Sequence, residues 1–182
     1  MSGRRKIFVL LALLSALVHA SAQEAGAPRF EDYRVGVWRG RVAPLNLRTH
    51  PQARAYRTVI REQLKAEGVN FAGHYTLASA GCGTGCSISA IVDARTGRAY
   101  FPGALFGWTS EMGDYDIPDS EEQRSFRADS RLLQVVGRPN IGPVGSERFG
   151  PSGIYYYEWT NNRLRLVKFI PAGSYPQSDP PN

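Results

Sequence analysis

Ile154-Tyr-Tyr-Tyr-Glu-Trp-Thr-Asn-Asn-Arg-Leu-Arg-Leu-Val-Lys-Phe-Ile170 is a pair of β-rich runs joined by two asparagines. Asn161 and Asn162 tolerate positive φ, and a two-residue connection of that kind is the tight turn whose twist suits antiparallel strands. Such a turn fixes the register. It sets Trp159 opposite Leu164, Tyr157 opposite Leu166 and Tyr155 opposite Lys168 on one face, with Glu158 opposite Arg165 and Tyr156 opposite Val167 on the other. The first face reads as core and the second as half solvated, with an ion pair that helps the register more than the stability. A carbohydrate- or peptide-binding platform is the alternative use of the tyrosines and Trp159, although an aromatic strand face is more often core.

Working outward, the same logic finds a second hairpin. Ile88, Ala90 and Val92 alternate with Ser89 and Ile91, so 87–93 reads as a strand with one face at least partly covered. In Asp93-Ala-Arg-Thr-Gly97 the aspartate accepts from backbone N–H groups and the glycine takes positive φ, and Arg98 to Phe101 returns. Phe71 to Ser79 and Leu132 to Val136 read as further strands, and 33–47 as one or two short ones. Between 102 and 130 a long connection carries glycines, prolines and an acidic run of six residues from Glu111 to Glu122, and it packs through Leu105, Phe106 and Trp108 or contains a short helix. It also suits a functional flap.

One helix stands out, from Pro51 to Glu67. Thr49 or His50 caps it, Pro51 occupies a first-turn position that needs no N–H, and Gly68 stops it. Ala53, Tyr56, Val59, Ile60 and Leu64 form an apolar stripe opposite Arg57, Arg61, Glu62 and Lys65. The expectation is therefore an α+β fold: a predominantly antiparallel sheet of meanders and hairpins with one N-terminal amphipathic helix packed on it.

The ends of the chain are of a different kind. Arg4, Arg5 and Lys6 precede an apolar run from Ile7 to Val18 and then Ala20-Ser-Ala22, the pattern of a secretory leader with a small-x-small cleavage site. That divides the chain into a signal peptide, 1–22, a single domain, 23–170, and a disordered tail, 171–182. The run is short for a bilayer span, so the cleaved protein is expected not to cross a membrane. Removing the three leader cations from a formal charge of +6 leaves about +3 on roughly 160 residues, an ordinary domain size. There is no basic run interleaved with aromatics, so nucleic acid is not an expected partner.

Both cysteines fall in Phe71-Ala-Gly-His-Tyr-Thr-Leu-Ala-Ser-Ala-Gly-Cys-Gly-Thr-Gly-Cys86, together with a histidine and four glycines. In an exported chain Cys82 and Cys86 read as one disulfide, which Gly83 and Gly85 let the backbone close. A redox pair, a zinc site with His74 and a cysteine nucleophile all need thiolates that oxidation removes, so neither metal nor cofactor is expected. What remains is His74 as a candidate acid or base, against a plain hydrogen-bonded histidine. The loop backbone is a candidate anion nest, with Thr84 as an added donor. Tyr75, Gly83, Thr84 and Gly85 are the candidate binding residues. The acidic segment Asp114 to Glu121 offers calcium-type oxygens without the twelve-residue loop pattern.

Asn70-Phe-Ala-Gly-His-Tyr75, Gly81-Cys-Gly-x-x-Cys86 and Ala90-Ile-Val-Asp93 with Thr96-Gly97 together resemble a group of small exported bacterial proteins of uncharacterised activity. The resemblance implies a secreted bacterial domain with a disulfide, and no chemistry. Three functions stay open. One is a periplasmic or secreted, non-enzymatic domain that binds an envelope component or partner protein. The others are an envelope hydrolase or transferase using His74 with the loop donors, and an inhibitor of a foreign hydrolase.

Overall fold

The computed structural model describes residues 26–83, 86–109, 124–142 and 148–172. The leader, the tail beyond Ala172, Thr84, Gly85 and the acidic run lie outside those residues. Strand makes up 44% of the described residues and helix 18%, so the class is β-rich rather than α+β. Two four-stranded antiparallel sheets carry the fold. The first contains β1 (Tyr75–Gly83), β2 (Cys86–Asp93), β3 (Ala99–Tyr100) and β4 (Phe106–Thr109), with β3 and β4 both paired to β2. In the second, β5 (Arg124–Phe126), β6 (Leu132–Gly137), β7 (Gly153–Thr160) and β8 (Arg163–Pro171) run in spatial order.

The expected helix is present but broken. Pro51–Ala55 forms α1 and Arg57–Glu67 forms α2, with Tyr56 between them at φ −102° and ψ 18°. His50 caps the first piece by accepting from the Gln52 N–H, and Gly68 ends the second at φ 60°. Ile60 and Leu64 meet Ala78, Ala90 and Val92 on the outer face of the first sheet. The two short helical pieces cover one face of the first sheet, and the packing that defines the class lies elsewhere.

That packing is the core between the sheets. Leu77 and Ile91 of the first sheet meet Leu133, Val135, Tyr155, Tyr157 and Trp159 of the second, with Phe71, Leu105 and Trp108 filling the edges. Burying each large apolar side chain contributes about 1.5–3 kcal/mol, so this layer dominates the stability. At one end Arg124 lies over the Trp108 ring, 5.5 Å from its centroid, and donates to the Ser89 hydroxyl at 2.7 Å and to Ser79. Beyond the second sheet, Phe30 and Tyr33 cover Leu132, Val136, Ile154 and Tyr156.

The last hairpin confirms the turn and part of the register. Asn161 and Asn162 have φ 49° and 57°, and the pairs Tyr157–Leu166, Glu158–Arg165 and Trp159–Leu164 form as expected. A bulge between Tyr156 and Tyr157 then shifts the rest, so Tyr156 faces Lys168 and Tyr155 faces Phe169. The bulge lets Phe169 pack on Tyr155 at 4.5 Å, where the unshifted register would put the Lys168 ammonium. Leu166 is 49% exposed rather than core. The strand also outlasts the expected domain end: Pro171 belongs to β8 and the Ala172 N–H donates to the Ser152 carbonyl.

Residues 34–49 do not form the one or two expected strands. They are a strap that bonds to turns: Val35 to Asp129, Trp38 to Gly73, Ala43 to Ala94 and Asn46 to Gly97. Gly97 is needed there, because at φ 73° an added Cβ would lie 1.9 Å from the Pro44 carbonyl oxygen. The edge of β1 is closed differently. The Asn70 amide accepts from the Leu77 N–H at 2.7 Å and donates to its carbonyl, and Gln63 does the same for Ser79 at 2.8 and 2.6 Å. Two side-chain amides thus stand where a neighbouring strand would. Asn70→Ala should lower the unfolding free energy by about 1–3 kcal/mol, the cost of part-buried backbone groups left without partners. Urea denaturation measures this, and an unchanged midpoint would show that water replaces the amide freely.

Candidate functional site

His74 sits in a turn rather than in a strand. Phe71 and Tyr75 exchange backbone hydrogen bonds at 3.0 and 2.9 Å, and Ala72 and Gly73 between them have φ 45° and 84°. The expected strand from Phe71 therefore begins only at Tyr75. Gly73 is required for contact as well as for φ, since a Cβ there would lie 2.7 Å from the Gly36 carbonyl oxygen of the strap.

The His74 Nε2 accepts from the Arg95 guanidinium at 2.7 Å, and its ring lies 4.1 Å from that of Tyr75. Arg95 in turn is 3.7 Å from the Asp93 carboxylate. Partial burial, followed by the charge of Arg95, holds the His74 pKa below its ordinary value of 6.5, while Asp93 pulls weakly the other way. A neutral imidazole with its lone pair already engaged is a poor general base. A shallow cleft of about 240 Å³ borders the ring, with Arg131, Trp159 and Thr160 on its other side.

The glycine-rich loop is nowhere near this histidine. Cys82 and Cys86 are joined, with Cα atoms 5.1 Å apart, at the far end of β1. Eight residue steps of extended chain separate Tyr75 from Gly83, about 26 Å at the usual rise. Of the candidate binding residues, Tyr75 belongs to the histidine end and Gly83 to the loop end, while Thr84 and Gly85 lie outside the described residues. Among the described residues, His74 is brought together with neither the Gly83 end of the loop nor the cysteines. Among the described residues no three His, Cys, Asp or Glu side chains cluster as metal ligands do.

A larger cleft of about 510 Å³ opens between the two sheets. One wall comes from the return strand and the turn after it, with Arg98, Tyr100 and Phe101. The other comes from the tip of the last hairpin, with Tyr157, Asn162 and Arg163. His50 closes the end, its ring stacked on Phe101 at 4.6 Å. Tyr100, Tyr75 and Trp159 pack edge to face behind the cleft, at 5.5 to 6.5 Å between centroids. The Tyr75 hydroxyl donates to the Asn162 Oδ1 at 2.9 Å, which ties the hairpin tip to the first sheet. Arg98 lies 5.6 Å from the Tyr100 centroid. Among the described residues no carboxylate lines the cleft. Its size falls within the usual range for small-molecule sites, roughly 300–1,000 Å³.

No family model, curated protein or solved structure matches this chain. The site rests on its own geometry. Sequence reasoning missed His50, Arg98, Tyr100, Asn162 and Arg163 as a group because they come from three separate segments. One signal pointed toward them: both hairpins place an arginine directly beside their turn, Arg98 after Gly97 and Arg163 after Asn162.

His74 also makes a pH prediction. Its folded pKa lies below the unfolded one, so the unfolded chain binds more protons as pH falls through the histidine range. Its contribution is complete above about pH 6.5 and declines as pH drops below it. The melting temperature of the wild type should therefore fall more steeply from pH 7.5 to 5 than that of His74→Gln. Parallel curves for the two proteins would contradict this.

Proposed function

We propose that this chain is an exported, non-enzymatic binding domain whose ligand, an envelope component, sits in the cleft between the sheets. The single observation that carries the reading is the cleft itself: an aromatic-walled space of about 510 Å³ with guanidinium groups at both rims and, among the described residues, no carboxylate. Its walls are a strand, a tight turn and a hairpin tip held by hydrogen bonds, which makes a preformed site rather than one that must fold around its ligand.

The compartment belongs to the same proposal. The leader pattern of residues 1–22 and the Cys82–Cys86 disulfide both favour an oxidising location, periplasmic or extracellular. Among the described residues no helix is long and apolar enough to cross a membrane. The resemblance to small exported bacterial proteins points to the same setting. In this reading the disulfide is a structural clip on the β1–β2 connection. Closing so short a loop contributes about 2 kcal/mol or less.

Retention of a solubilised envelope fraction by the cleaved protein tests the assignment. Replacing Arg98 and Arg163 together by glutamate should weaken retention by ten- to a hundredfold, as expected when charge-assisted hydrogen bonds worth about 1.5–3 kcal/mol are lost. Cys82→Ser/Cys86→Ser should stay within a factor of about two, since the clip lies away from the cleft. Loss of binding in the cysteine variant with full retention in the arginine variant would overturn the assignment.

A further inference from the structure

The polar groups that face the cleft are unusually one-sided. His50 Nδ1 accepts from the Gln52 N–H at 3.2 Å, so the neutral ring carries its proton on Nε2 and offers a donor. Thr49 Oγ1 is engaged twice, donating to the Asn46 carbonyl at 2.8 Å and accepting from the Ala99 N–H at 3.1 Å. Asn162 Oδ1 accepts from Tyr75, which leaves the amide NH₂. The Pro102 and Gly103 carbonyls accept from Leu105 and Phe106.

Arg98 and Arg163 add guanidinium donors, and among the described residues neither is in an ion pair. Burial pushes the Tyr157 phenol well above the usual tyrosine range, so that hydroxyl keeps its proton. Among the described residues, the Thr49 and Asn162 side-chain oxygens at the cleft each already accept one hydrogen bond and no carboxylate is present.

A neutral saccharide does not fit that inventory. Its hydroxyls and ring oxygens can accept from these donors, but it brings no negative charge to match the two guanidinium groups. A ligand rich in acceptors and negatively charged does fit, because a guanidinium fork matches a carboxylate in two parallel hydrogen bonds. Ring walls with donors at each rim suit a chain of rings that bears acid groups at intervals.

We infer that the cleft binds an acidic, uronate-type oligosaccharide, with carboxylates held by Arg98 and Arg163 and ring oxygens facing His50 and Asn162. This inference rests on the cleft being the binding site and adds the chemical class of its occupant.

Titration calorimetry of the cleaved full-length domain tests it with four probes: trigalacturonate, the neutral trigalactoside, tri-glutamate and inorganic phosphate. The expected result is saturable binding of trigalacturonate that weakens with salt, as contacts to charged groups do. The neutral trisaccharide should bind at least thirtyfold more weakly, and Arg98→Gln and Arg163→Gln should each lose about tenfold. Phosphate at the same concentration should not compete.

Equal binding of the neutral sugar, unaffected by either arginine variant, would overturn the acidic class while leaving the cleft as a site. Tighter binding of tri-glutamate than of the uronate would make an acidic peptide the occupant and overturn the saccharide. Competition by phosphate at equal concentration would reduce the site to a bare anion hole. If no probe binds and the arginine variants retain the envelope fraction as the wild type does, the inference and the cleft assignment fail together.

Discussion

Three rings join the two sheets. Tyr75 at the start of β1 and Tyr100 at the end of β3 both pack edge to face on Trp159 of β7, with centroids 5.5 Å away in each case. Pairs of this geometry are worth about 0.5–1.5 kcal/mol beyond the area they bury. Their larger effect is positional. Because the contacts cross from one sheet to the other, they fix how far apart the sheets stand at this end, and that spacing is the floor of the larger cleft. The Tyr75–Asn162 hydrogen bond locks the hairpin tip onto the same joint.

Much of this architecture was legible in local chemistry. The paired asparagines gave the last hairpin its turn, and Asp93 and Gly97 gave the other one: Arg95 N–H bonds to the Asp93 carboxylate at 2.8 Å and Gly97 takes φ 73°. Leu105, Phe106 and Trp108 are buried in the long connection as their character required. The illegible parts share a cause, which is that tertiary contacts overrode a local pattern. Phe71-Ala-Gly-His resembles a strand in composition, yet the strap drives it into a turn by placing Trp38 against the Gly73 carbonyl. The alternation between Val35 and Val42 reads as strand, but its partners are turns on both sheets. The bulge before Tyr157 follows from the preference of Phe169 for the core, which no turn rule contains.

The candidate site was less visible for a geometric reason. Cysteines, glycines and a histidine crowd together between Phe71 and Cys86, and that crowding suggested one site. A strand carries its ends apart, so the same sixteen residues contribute to opposite ends of the molecule. Asn70, Phe71, Gly73 and Tyr75 of the motif serve the fold, as an edge cap, a fully buried ring, a close approach and a joint. The proposed cleft lies instead where three distant segments converge, and only topology brings them together.

The proposed recognition end lies at the ring joint, and the clipped structural end lies at the disulfide. Amide chemical-shift mapping of the cleaved domain, recorded with and without a retained envelope fraction, tests that division most directly. The account predicts shifts at Arg98 to Ala104 and Asn162 to Leu164 with Gly81 to Gly83 unmoved. Shifts centred on Gly81 to Cys86, with the cleft residues unchanged, would contradict it.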